Sequence, residues 1–342
     1  MAHRHERTLG SGPPAGTGRC GKLICHPGWY REAQEDLITH PDNTFYGHAR
    51  VLAEYAGLAP RVPPIWGHVQ HGWAAEYALS VPPRLVGWIP KLVFSQANVD
   101  ATRARGVDRV EAIGDPFCYL VRTRAEAIAQ PRPRSTIVYP LHGWERDDVI
   151  GSHDHLIAAV QERESRPVTV CLYWREFDQP EVRRRYEEAG LRVICHGYRH
   201  DPQFLHRQFA ELLRHDRVVT NRASTALWRG ALLGLEAEIY GPVFGIGDPG
   251  EGAAYGAFQL ERWPELCSGG LDCTAAAALA SVELGDAFVR EPDELRQLLG
   301  WEGRRLRFGP AARVAVRAEF QARRVVYNVR MRAPGGSSLP RS

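Results

Sequence analysis

No apolar run in this 342-residue sequence comes near the ~20 residues that a bilayer-spanning helix needs, and Ala275 to Val282 is among the longest. A transmembrane anchor is therefore not expected. The opening MAHRHERTLGSGPPAGTG has basic residues with no apolar stretch behind them, so it does not read as a secretory signal and a cytoplasmic location is expected. Cysteine pairs of the C-x-x-C kind are absent. The seven cysteines (Cys20, Cys25, Cys118, Cys171, Cys195, Cys267, Cys273) are odd in number, which argues against a disulfide framework and against a zinc ribbon. Lysine is nearly missing: of 43 basic residues only Lys22 and Lys91 are lysine, and 40 acids balance the arginines to a net charge of +3. No basic run carries interleaved aromatics, so nucleic acid is not an expected partner. Peripheral membrane contact stays compatible with the composition.

Metal and nucleotide signatures are missing too. There is no H-E-x-x-H, no strand-flanked D-x-D and no His/Cys cluster at zinc spacing, so the expected mechanism uses no metal. A G-x-S-x-G elbow and a G-x-G-x-x-G after the first strand are likewise absent, which removes serine-hydrolase and dinucleotide-oxidoreductase chemistry from the leading readings.

What is present is an alternation of short apolar runs and helical patterns. Strands are expected at Lys22–Cys25, Ile65–Gln70, Leu92–Ser95 and Val110–Ile113, with helices over Tyr46–Gly57 and Asn98–Arg105. A second series places strands at Thr136–Tyr139, Val168–Tyr173, Arg192–Cys195, Arg217–Thr220 and Ala237–Tyr240. Helices at about Asp154–Arg163, Pro180–Ala189, Pro202–Arg214 and Ser224–Leu233 separate them. Such alternation builds parallel sheets covered on both faces, hence an α/β protein with two Rossmann-like doubly wound lobes facing a cleft. The polar, Pro-interrupted stretch Ala129–Arg134 reads as the link between lobes 20–130 and 135–310. Residues 1–19 and 333–342 read as tails, and 311–332 as a C-terminal helical segment.

Ligands of open α/β sheets bind beyond the carboxyl ends of the strands, so the loops there are searched for chemistry. His71, in Trp66–Gly67–His68–Val69–Gln70–His71–Gly72–Trp73, stands at a strand tip before a glycine turn, and its imidazole suits a general base near neutral pH. Strand alternation puts His68 on the opposite face. Trp73, Glu76 and His26 are the further candidates on this side. In Thr220–Asn221–Arg222–Ala223–Ser224–Thr225 a strand turns into a helix whose first N–H groups, hydroxyls and guanidinium suit a phosphate, although Ser224 or Thr225 could serve only as an N-cap. His142, Gly143 and Arg146 in the loop after Tyr139 are candidates for contacts to phosphate or sugar, unless the loop is only a solvated polar turn. His196, Tyr198 and Arg199 after Cys195 are candidates of the same kind, while Asp201–Pro202 reads as a helix start with a structural Asp cap.

The order of a strand with a His-Gly turn, a linker, YPLHGWERD and VVTNRASTALWRGALLGLEAEIYGP resembles the GT-B glycosyltransferases of bacterial surface-polymer synthesis. The likeness is to the CDP-glycerol glycerophosphotransferase-like and capsular polysaccharide transferases in particular. That resemblance implies a metal-independent transferase without a resident cofactor, using a nucleotide-activated donor as co-substrate and a glycan or small-molecule acceptor. By matching position it implies His71 as catalytic base and Asn221, Ser224 and Thr225 as donor-phosphate binders. Asn221–Arg222–Ala223–Ser224 replaces the family's Asp-Tyr-Ser-Ser, and Trp73–Ala74 replaces Thr-Pro, so a sugar donor is expected ahead of glycerol phosphate. A nucleotide-sugar epimerase and a catalytically silent GT-B-like binding protein are the alternatives.

Overall fold

The computed structural model describes residues 41–77, 90–143, 147–248 and 250–302. The expected strand at Lys22–Cys25, His26, Arg146, both tails and the 311–332 segment lie outside the described residues.

Two parallel sheets organise the described residues. The first has three strands in the order β1 (His68–Val69), β2 (Lys91–Val93), β3 (Val110–Ala112). The second has five: β4 (Thr136–Tyr139), β6 (Val168–Cys171), β7 (Arg192–Ile194), β8 (Arg217–Thr220) and β9 (Glu236–Ile239), arranged β7-β6-β4-β8-β9. Starting at its central strand and running outward to one edge and then the other, this is a doubly wound order whose direction reverses between β4 and β8. A short antiparallel ribbon, β5 (Val149–Ile150) with β10 (Gly245–Ile246), stands apart.

The second sheet is apolar on both faces, as a covered parallel sheet must be. Ile137, Tyr139, Val218 and Ile239 face one cluster, whereas Val138, Val170 and Val219 face another. The first of these clusters also takes in Val69, Leu92, Phe94 and Ile113 of the other sheet, so the two sheets share a core. After β9 the chain returns to the first sheet, where Asp115 N donates to Leu284 O (2.8 Å) and Trp66 N to Leu299 O (2.9 Å).

Some expected elements shift. The single helix over Tyr46–Gly57 is instead a 3-10 turn, Pro41–Gly47, and a helix, His48–Tyr55. Tyr46 and Gly47 both have positive φ, and a Cβ on Gly47 would lie 2.4 Å from Pro202 O, so only glycine lets this turn press against the second half. The helix expected from Pro202 starts at Phe204 with Gln203 as N-cap. Asp201 instead accepts from Gln203 N (2.8 Å) and pairs with Arg207. The Cys273–Leu284 helix was not anticipated, because its alanine-rich sequence lacks an amphipathic period, yet Asp272 caps it through Thr274 N and Ala275 N.

Candidate functional site

A cavity of about 590 Å³ collects the loops that follow β1, β4, β6, β7 and β8. His71, Trp73, Glu76, His142, His196, Arg199, Arg222, Ser224 and Thr225 all line it.

From the first sheet, β1 is clamped before it reaches the cavity: Asn43 Nδ2 donates to Gly67 O (2.9 Å) and its Oδ1 accepts from Val69 N (2.8 Å). Gln70, 2% exposed, then donates from Nε2 to Gly72 O (2.8 Å) and accepts at Oε1 from Phe94 N (3.1 Å). His71 sits inside that brace, edge-on to Phe45 with centroids 5.2 Å apart. His68 is buried in the strand and does not line the cavity. Trp73 is anchored at both ends, its backbone N–H on Thr225 Oγ1 (2.9 Å) and its indole N–H on Glu283 Oε2 (2.8 Å). Glu76 is exposed on the lip.

From the second sheet, the loops after β4 and β8 flank the reversal of strand order. Asn221 ties them together and does not line the cavity. It is fully buried, accepting from Leu141 N (2.8 Å) and donating to Pro242 O (2.8 Å), so its amide braces loops where a phosphate contact was expected. Gly143 is likewise structural, donating its N–H to Glu176 Oε1 (2.8 Å). His142 stacks on Tyr173 with centroids 3.9 Å apart and a 20° interplanar angle. Ser224 caps the Thr225–Leu232 helix by accepting from Leu227 N (3.4 Å). With the Leu227 N–H taken by that cap, the N–H groups of Thr225 and Ala226 have no carbonyl partner within the helix, and they give the cavity wall its donors. Arg222 is held by Glu251 in a two-pronged pair, Nη1 to Oε2 (2.7 Å) and Nη2 to Oε1 (2.6 Å), and lies 3.6 Å over the Tyr255 ring. Arg199 lies 4.6 Å over Phe45, the ring that also meets His71 edge-on.

The floor carries little net charge. Arg229, 3% exposed, lines the cavity, with Nε and Nη2 on the Asp115 carboxylate (both 2.9 Å) and Nη1 on Gln208 Oε1 (2.8 Å). Burial pushes the His196 pKa down to about 3, so its ring is neutral, and its Nε2 meets Tyr139 Oη at 2.9 Å. Burial, with Arg229 and His71 nearby, also drives the His48 pKa well below its ordinary value. Among the described residues no group of three or more His, Cys, Asp or Glu side chains could hold a metal ion.

Several lining residues escaped the sequence reading. Arg229 stands inside an otherwise apolar helix, and that oddity was its one available signal. Phe45, Tyr173, Trp174, Glu251 and Tyr255 reach the cavity from segments that carry no motif.

No protein-family model matches the chain, and no curated protein matches it. No helix among the described residues is long and apolar enough to cross a membrane.

Proposed function

We propose that the protein is a glycosyltransferase with two GT-B-like lobes, moving a sugar from a nucleotide-activated donor to an acceptor hydroxyl. One observation carries the reading: the turn bearing His71 is hydrogen-bonded to the start of the Thr225–Leu232 helix through Trp73 N and Thr225 Oγ1 (2.9 Å), and both line the same cavity. A base and a phosphate-accepting helix start thus stand side by side, which is what transfer from a phosphate leaving group requires.

An imidazole nitrogen of His71 takes the proton of the acceptor hydroxyl. The acceptor oxygen bonds to the donor's sugar carbon as the bond from that carbon to the phosphate oxygen breaks. The electron pair stays on the phosphate, whose new charge meets the helix N-terminus at Ser224–Ala226. Arg199 lies beside the same space and adds positive charge to it. The aromatic walls, Phe45, Tyr173 and Trp174 among them, offer faces to a base or a sugar ring.

The test has two parts. Thermal shifts with UDP, GDP, dTDP, ADP and CMP would identify the donor class, since a ligand of the native state raises the melting temperature. Nucleotide release from the matching nucleotide-sugar would then be followed with and without added glycan acceptors. An epimerised sugar formed without any acceptor would indicate an epimerase. A chain that neither responds to a nucleotide nor releases one would refute the proposal.

A further inference from the structure

The Arg222–Glu251 pair is placed oddly for a structural ion pair, because both residues line the ligand cavity and Arg222 stands two residues before the cap of the phosphate-facing helix. Three donors converge on the Glu251 carboxylate: Arg222 Nη1 (2.7 Å), Arg222 Nη2 (2.6 Å) and Ile246 N (3.0 Å). A planar guanidinium fork with a backbone N–H beside it is also what holds two oxygens of a phosphate. Nη1 and Nη2 of Arg222 both lie on the carboxylate, and Nη1 also reaches Phe244 O (3.3 Å), so an anion can take this end-on edge of the guanidinium, the one beside Ile246 N, only by releasing the carboxylate. The Arg222 side chain is 13% exposed and that of Glu251 26%, so of the two partners solvent reaches Glu251 more.

The Glu251 carboxylate can leave by side-chain rotation alone, while the backbone beside it stays packed, since a Cβ on Gly252 would lie 2.9 Å from Val243 O. It is the first residue of the Glu251–Arg262 helix, next to Gly250 and Gly252. The same helix braces the turn by a separate bond, from Ala223 N to Gln259 Oε1 (3.1 Å), which does not depend on Glu251.

We infer that Arg222 and Ile246 N form an anion seat that the protein fills with its own Glu251, and that a donor phosphate binds there by displacing that carboxylate. The inference rests on the proposed function for the identity of the anion. It makes Glu251 an internal competitor that weakens donor binding and holds the site shut to weakly bound anions.

The probes are inorganic pyrophosphate and UDP, titrated calorimetrically into the wild-type chain, Glu251→Gln, and Glu251→Gln combined with Arg222→Gln. Removing the competing charge is expected to tighten pyrophosphate at least tenfold, and the added Arg222 change is expected to abolish that gain. Unchanged or weaker binding by Glu251→Gln would make Glu251 a mere brace and overturn the inference. Should Glu251→Gln not fold, a structure of the wild-type chain soaked with pyrophosphate decides the matter. Pyrophosphate on Arg222 with Glu251 displaced supports the seat, whereas an intact pair, or no ligand at Arg222, overturns it. A tenfold gain for pyrophosphate with no turnover of any nucleotide-sugar would leave the seat standing and remove the glycosyltransferase reading.

Discussion

Removing the Asp115 carboxylate should be among the most damaging single changes in the chain. Asp115 is fully buried and does two jobs: its oxygens take Arg229 Nε and Nη2 (both 2.9 Å), and Oδ1 also caps the Pro116–Arg122 helix through Phe117 N (2.8 Å). In Asp115→Ala the Arg229 guanidinium stays 3% exposed with the neutral Gln208 amide as its remaining polar partner. Breaking a buried pair in this way costs about 3–5 kcal/mol. The lost cap adds about 1 kcal/mol. The sum, roughly 4–6 kcal/mol, is a large part of the ~5–15 kcal/mol that separates native from unfolded chains. Urea unfolding followed by fluorescence of the nine tryptophans would read it, with Asp115→Leu/Arg229→Met as the control. That double change removes both charges, so it should be milder than the single one. A single variant within about 1 kcal/mol of wild type would refute the assignment of a buried, mutually dependent charge pair to Asp115 and Arg229.

Four further outcomes are expected. His71→Ala should lose about 10²- to 10⁴-fold in turnover with nucleotide affinity nearly intact, while His68→Ala should lose stability and keep turnover; the opposite pattern would move the base elsewhere. Ser224→Ala should cost about 1 kcal/mol in stability and weaken UDP binding, whereas adding Thr225→Ala also severs the bond to Trp73 N, so the double variant should be measurably less stable. Stability should fall as pH falls: below ~6.5 the unfolded chain protonates a histidine that native His196 leaves neutral until about 3, a slope of up to ~1.4 kcal/mol per pH unit, and His48 acts in the same direction. Denaturation midpoints that stay level from pH 7 to 4 would contradict this. Gly47→Ala should destabilise through both its positive φ and the 2.4 Å approach to Pro202 O, and melting curves would show it.

The strand and helix alternation of the second sheet was legible from residue order, because periodicity and turn residues are local properties. Thr136–Tyr139 and Arg217–Thr220 have the bounds their apolar runs suggest. Residue order also pointed to the loops that gather at the cavity, since parallel strands bring their carboxyl-end loops to one edge. Tertiary structure alone decided what each polar side chain in those loops does. Arg222 reads as a free cation until Glu251, 29 residues on, takes both its terminal nitrogens. Asn221 reads as a ligand contact until its amide is seen holding Leu141 and Pro242 together. Arg229 reads as an oddity in an apolar helix until Asp115, 114 residues away, pairs with it. The physical reason is common to all three. A charge or amide acts on a ligand only with the bonding capacity its neighbours leave unused, and those neighbours are fixed by packing between segments far apart in the chain.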